Sequence, residues 1–120
     1  MIRYINTAGN EVIAELVEPG LTISNAGDML DIIAEIGMNG CRNIMIYESD
    51  LHPDFFRLST GIAGEILQKF SNYRARLAIV GDFTRYSSKS LQDFIRECNR
   101  GNMVFFVDST ATGLSKLSAR

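Results

Sequence analysis

Apolar residues along this chain fall into two spacings that alternate. Three short runs are apolar at consecutive positions: Ile44-Met45-Ile46-Tyr47, Leu77-Ala78-Ile79-Val80 and Val104-Phe105-Phe106. Runs this short read as strands covered on both faces, spanning 43–47, 76–81 and 103–107. Around them the apolar residues recur at helical spacing. Met29, Leu30, Ile32, Ile33 and Ile36 cover one side of a segment that carries Asp28, Asp31 and Glu35 on the other. Asn25 is placed to cap that helix, and Gly37 and Gly40 to stop it. Ile62, Ala63, Ile66, Leu67, Phe70 and Tyr73 mark a second helix, which starts either at Pro53 or at a fresh cap in Ser59-Thr60-Gly61. Leu91, Phe94, Ile95 and Cys98 stripe a third, capped by Ser87 or Ser88 and ended by Gly101. Thr110 opens a last short helix with Leu114 and Leu117 inward.

Strand runs separated by helices predict parallel strands joined by right-handed crossovers. The chain opens differently. Segments 3–7 and 11–17 are extended and joined by Ala8-Gly9-Asn10, which predicts an antiparallel hairpin. Val12, Ala14 and Leu16 share one face of its second strand. Pro19-Gly20 ends that strand, and 21–24 reads as a short extended piece. No repeat or linker interrupts the pattern. The expected fold is one α/β domain over 1–120, a mixed sheet in which the hairpin is followed by parallel βα units.

Composition narrows the function. The chain has 120 residues, 46% hydrophobic and 22% charged, with a formal charge of −2. Its charges are mixed and form no basic stripe, which argues against nucleic acid as a partner. The Phe and Tyr residues mostly fall on faces expected to be buried, which argues against base stacking. No apolar run approaches the roughly 20 residues of a membrane helix, and the first residues lack the apolar core of a signal peptide. Cys41 and Cys98 form no CxxC pair, so a reducing cytoplasm is the expected compartment.

Several residues are candidates for chemistry. Asp50, His52 and Asp54 place two carboxylates and the only histidine two residues apart, but that spacing is generic, a metal site usually takes three or four ligands, and no second cluster completes this one. They read instead as a loop entering a helix, and no metal or cofactor is expected. Cys98 with His52 would make a thiolate–imidazole pair, yet Cys98 lies on an apolar stripe and reads as core. The carboxyl ends of the strands, where open α/β sheets bind ligands, carry Glu48, Asp82 and Asp108 with His52, Ser87 and Ser88 nearby. Among these Asp82 either organises the following loop by accepting backbone N–H bonds near Thr84 or Tyr86, or faces Glu48 or Asp108 across the rim as a repelling charge, and the second is expected. On the long helix Gly61, Glu65, Gln68 and Asn72 share a stripe, flanked by Gly64. Glycine within a helix needs a packing or functional reason, so this stripe is a candidate interface.

Two phrases carry a resemblance. One is Phe55-Phe56-Arg57-Leu58-Ser59-Thr60-Gly61-Ile62-Ala63-Gly64-Glu65-Ile66-Leu67-Gln68-Lys69-Phe70. The other is Leu77-Ala78-Ile79-Val80-Gly81-Asp82-Phe83 followed by Ser87-Ser88-Lys89-Ser90-Leu91. Together they resemble a bacterial family of uncharacterised single-domain proteins, STAS-like in fold, that is, similar to the anti-sigma-factor antagonists. The resemblance implies a role in binding rather than catalysis. Those antagonists are phosphorylated on a serine after a central strand. Ser49, Ser87 and Ser88 are the nearest counterparts, and none sits in a close copy of that motif, so the switch does not carry over. The expected function is a non-enzymatic regulatory or protein-binding domain whose partner is itself or another protein. The alternative is a small-molecule binder or enzyme that uses the rim.

Overall fold

The computed structural model describes residues 2–9, 11–17 and 22–119. Asn10 in the hairpin turn, the strand end at Pro19-Gly20, and Leu21 lie outside the described residues. A five-stranded sheet has its strands in chain order: β1 (Ile2–Asn6), β2 (Val12–Leu16), β3 (Asn43–Tyr47), β4 (Arg76–Val80) and β5 (Val104–Val107). β1 and β2 are antiparallel and the other three follow parallel to β2. Helices α1 (Ala26–Gly37), α2 (Ile62–Tyr73) and α3 (Lys89–Arg100) connect the parallel strands, and α4 (Thr110–Ser118) follows the last. This is the hairpin and the parallel βα series that the sequence predicts. Among the described residues no helix is long and apolar enough to cross a membrane.

Strands adjacent in both sequence and space, joined by crossovers of one hand, put their helices on one face. That face holds the larger core. Ala14, Leu16, Ile44, Ile46, Leu77, Ile79, Val104 and Phe106 from the sheet meet Met29, Ile33 and Ile36 of α1, Ala63, Ile66 and Phe70 of α2, and Leu91 and Ile95 of α3. The other face, with Ile13, Met45, Ala78, Phe105 and Val107, packs against Leu117 of α4. Both faces of the central strands are thus buried, which is why their sequences do not alternate.

Local chemistry sets the helix ends. The Asn25 side chain accepts the Asp28 N–H at 2.9 Å, and the Asp28 carboxylate accepts the Ser24 N–H at 2.9 Å. The first satisfies a backbone donor that the first turn leaves unpaired, and the second ties the residue before the cap back onto that turn. Gly40, at φ +71°, turns the chain out of α1. The start of α2 takes something from both readings: Pro53 begins a separate 3₁₀ turn (Pro53–Phe56), another follows (Leu58–Thr60), and Gly61 at φ +80° turns into α2. Ile23 bridges to Leu51 in the parallel sense, which pins the approach to α1 against the loop after β3.

Some inward positions sit further out than the spacing predicts. Phe94, Cys98 and Leu114 are half-buried at the margins of the two cores, and Tyr73 at the end of α2 is exposed. Helical spacing identifies the inward face of a helix but not how deep each position on it lies, so it overstates burial at the margins.

Candidate functional site

The register pairs Tyr47 with Val80 and Val80 with Val107, so β3, β4 and β5 end level and their exits form one rim. Beyond β3 the chain makes a 3₁₀ turn, Glu48–Asp50. The buried Asp50 carboxylate accepts the Tyr47 N–H at 2.8 Å, and burial pushes its carboxyl up from the usual range. Glu48 reaches sideways over the end of β4. Its Oε1 accepts the Asp82 N–H at 3.3 Å, and its Oε2 accepts hydrogen bonds from the Arg85 guanidinium and the Tyr86 hydroxyl.

Gly81 makes that crossing possible. A Cβ there would stand 2.6 Å from both Cβ and Oε1 of Glu48, inside any real contact distance. Arg85 also lies over the Tyr86 ring, 5.0 Å from its centroid, and Tyr86 stacks on Phe56 at 4.9 Å. Burial first, then the bond to Glu48, push the Tyr86 phenol up to about 12. Phe83 meets Phe106 edge to face at 5.2 Å, and Phe55 meets Phe56 at 5.0 Å. The distinctive Phe55-Phe56 phrase therefore supplies rings that lock the loop after β3 to the loop after β4.

Most of the polar rim is occupied by structural bonds. Asp82 is exposed, and its Oδ1 accepts the Thr84 N–H at 3.1 Å and the Thr84 hydroxyl at 2.5 Å. These bonds hold its carboxyl below the usual range. The expectation that Asp82 faces Glu48 as a repelling carboxylate is corrected: its backbone N–H faces Glu48, while its side chain caps the 3₁₀ turn Phe83–Arg85. Ser88 Oγ accepts the Leu91 N–H at 3.2 Å and caps α3; Ser87 and Ser49 are exposed. His52 Nδ1 accepts the Asp54 N–H at 3.0 Å, which caps the Pro53–Phe56 turn. Asp108 is exposed at the end of β5, before Ser109, which caps α4 through the Thr112 N–H at 3.1 Å.

The other sequence candidates separate. No group of three His, Cys, Asp or Glu placed to hold a metal ion occurs among the described residues, because Asp50 turns inward while His52 and Asp54 serve their own turn. Cys98 lines a cleft with Leu67, Phe94 and Met103, and burial pushes its thiol up to about 11. It does not share that cleft with His52. Cys41 is buried at the entry to β3, and its thiol donates to the Val12 carbonyl at 3.2 Å.

An open cleft of about 380 Å³ lies beside the rim between α3 and α4. Its two amides point inward: Gln92 donates to the Phe83 and Tyr86 carbonyls, and Asn99 pairs with Phe106. On the opposite side of α3's layer, Gly61, Gly64, Glu65, Gln68 and Asn72 are all exposed along α2, and Gln68 donates to Asn72 at 2.9 Å. A Cβ built on Gly64 meets nothing within 4 Å. A groove of about 450 Å³, lined in part by Gly27, Leu30, Glu65 and Gln68, runs between α1 and α2.

Arg85, Tyr86 and Gly81 are the rim residues that sequence reasoning missed. The available signal was a glycine directly after an apolar run, since a strand end that needs no side chain often has another group lying on it.

A family model described as Domain of unknown function (DUF4180) matches residues 8–117. The chain belongs to the DUF4180 family. The match takes in the rim, the aromatic cluster and the α2 stripe together, in keeping with the uncharacterised single-domain family that the sequence resembles. No curated protein and no solved structure matches the chain.

Proposed function

We propose that this DUF4180 domain is a non-enzymatic, STAS-like regulatory module that binds protein through the outer face of α2, with a second copy of itself as the first partner. One observation carries the reading. Gly64 lies inside α2, where glycine costs about 1 kcal/mol relative to alanine, and a Cβ there would meet nothing within 4 Å among the described residues. Its own fold therefore gives no packing reason for the glycine. Close approach of another chain gives one.

The neighbouring surface has a suitable composition. Gly61, Glu65, Gln68 and Asn72 offer small and amide-bearing side chains beside the α1–α2 groove rather than a dense charge. The rim supports the same reading from the other side, since Asp82, Ser88 and His52 are engaged as caps. The unpaired thiols of Cys41 and Cys98 fit a cytoplasmic role.

Gly64 gives the test. Light scattering should show a dimer for the wild type at micromolar concentration and a smaller particle for Gly64→Arg, with melting little changed. Gly64→Ala should raise folding stability by roughly 0.5–1 kcal/mol while weakening association. A wild type that stays monomeric at high micromolar concentration would sink the proposal.

A further inference from the structure

The end of the sheet opposite the rim carries a concentration of positive charge. Arg42 stands directly before β3, Arg74 caps the carboxyl end of α2, and Arg76 is the first residue of β4. With Glu11, Asn43 and Asn102 they line one cleft of about 330 Å³. We propose that this cleft is an anion site that takes the phosphate group of a small phosphorylated ligand.

The arginines are not alike. Arg76 is fixed: its guanidinium donates to the carbonyls of Asn102, Lys116, Leu117 and Ala119 and to Asn102 Oδ1, at 2.9 to 3.2 Å. It forms a rigid, positively charged wall. The side chains of Arg42 and Arg74 make no hydrogen bond or ion pair among the described residues. That sets them apart, because every other described arginine is engaged: Arg3 with Glu15, Arg57 with Asp54, Arg85 with Glu48, Arg96 with Asp93 and Arg100 with Glu97. Arg42 and Arg74, without partners among the described residues, thus line the same cleft as an arginine that is held in place.

The backbone supplies a second, independent observation. Arg74 has φ +54° and ψ +37°, and it is the one described non-glycine residue with positive φ. That conformation disfavours L side chains, and glycine or asparagine usually fills this position after a helix. Among the described residues glycine fills the other positive-φ sites, Gly40 and Gly61. Keeping arginine at the third accepts strain to place a guanidinium there, and strain of this kind concentrates at functional sites. The dipole of α2 favours a cation at its carboxyl end. It accounts for one arginine by charge, and accounts neither for the choice of the strained position nor for Arg42.

The geometry selects the ligand class. Guanidinium forks match the paired oxygens of phosphate and bind them bidentately. Glu11 opposes an anion, but its carboxylate accepts from the Asn43 amide at 3.1 Å, and three arginines line the cleft with it. A cleft of about 330 Å³ suits a small molecule, and a chain of net charge −2 offers little general attraction for a nucleic acid.

The test is a calorimetric titration of the intact chain with inorganic phosphate and with pyrophosphate at physiological salt. Wild type should bind pyrophosphate the more tightly, because the longer anion spans more donors. Arg42→Gln and Arg74→Gly should each weaken it by about tenfold or more. Arg74→Gly keeps a residue suited to the left-handed backbone, so it should melt no lower than wild type, which separates loss of binding from loss of fold. Arg57→Gln, remote from the cleft, should bind as wild type does. No binding by wild type at millimolar anion, unchanged binding by Arg42→Gln and Arg74→Gly, or an equal loss in Arg57→Gln would each overturn the assignment.

Discussion

Whether a carboxylate at a strand end is strained or settled depends on what donates to it. Glu48 has three donors, Asp82 N–H, Arg85 and Tyr86, and Asp82 has the amide and hydroxyl of Thr84. Neither carries the unrelieved repulsion expected from their nearness in the fold. The prediction for Asp82 is therefore the reverse of the sequence expectation. Asp82→Ala should destabilise the fold at pH 7, and Asp82→Asn should stay near wild type, since asparagine caps as well as aspartate. The pH dependence follows from the lowered carboxyl of Asp82. A group depressed in the folded state contributes stability above its unfolded value near 3.8 and loses it as pH falls through the folded value. The gap between wild type and Asp82→Ala should thus close on acidification. Denaturant melts at pH 7 and in acid measure it, and a gain in stability on removing Asp82 at pH 7 would restore the strained-rim picture. The residue types of the rim were legible in the sequence, but their roles were not. A cap and a binding group use the same Asp, Ser and His side chains, and only the partner atom tells them apart.

Elements were more legible than residues, because a helix or strand rests on many positions at once. Asn25, Ser88, Gly101 and Gly40 mark boundaries where the sequence puts them. What the pattern did not show is how elements protect one another. β5 is an edge strand, and its outward Phe106 N–H and C=O would be open to another chain. Asn99 of α3 closes them, accepting the N–H at 2.7 Å and donating to the carbonyl at 3.1 Å, much as a neighbouring strand would. In the sequence Asn99 is one polar residue near a helix end, without any visible link to Phe106. Asn99→Leu should cost roughly 1–3 kcal/mol, because it leaves backbone groups without partners. It should also raise the tendency to aggregate, as measured by scattering during a slow thermal ramp. Wild-type stability with clean refolding would show that the edge needs no such cover.

The whole molecule is lopsided in a way that helix and strand spacing could not reveal. Continuous apolar runs predicted strands buried on both faces, but which helix covers which face depends on strand order, and order depends on contacts between residues far apart in the chain. With β1 to β5 in sequence, three helices share one face and α4 alone packs on the other. That single helix lies close to the sheet: a Cβ on Gly113 would stand 2.9 Å from Met45 Sδ and 3.5 Å from Val107 Cγ2. Its far end is held by the Arg76 guanidinium. A nine-residue helix with one buried leucine should open at lower free energy than the three-helix side. Gly113→Val forces the question, since a branched side chain at that contact must push α4 outward. Overpacking of this kind typically costs about 1–3 kcal/mol. Amide exchange should quicken in α4 and in the outward turns it shields, while α1, α2 and the β3–β4 ladder keep their protection. A dye that reports exposed apolar surface should bind the variant under native conditions, as Ile13, Ala78 and Phe105 become accessible. If protection instead falls by the same factor everywhere, the two faces unfold as one unit and α4 is part of a single cooperative core.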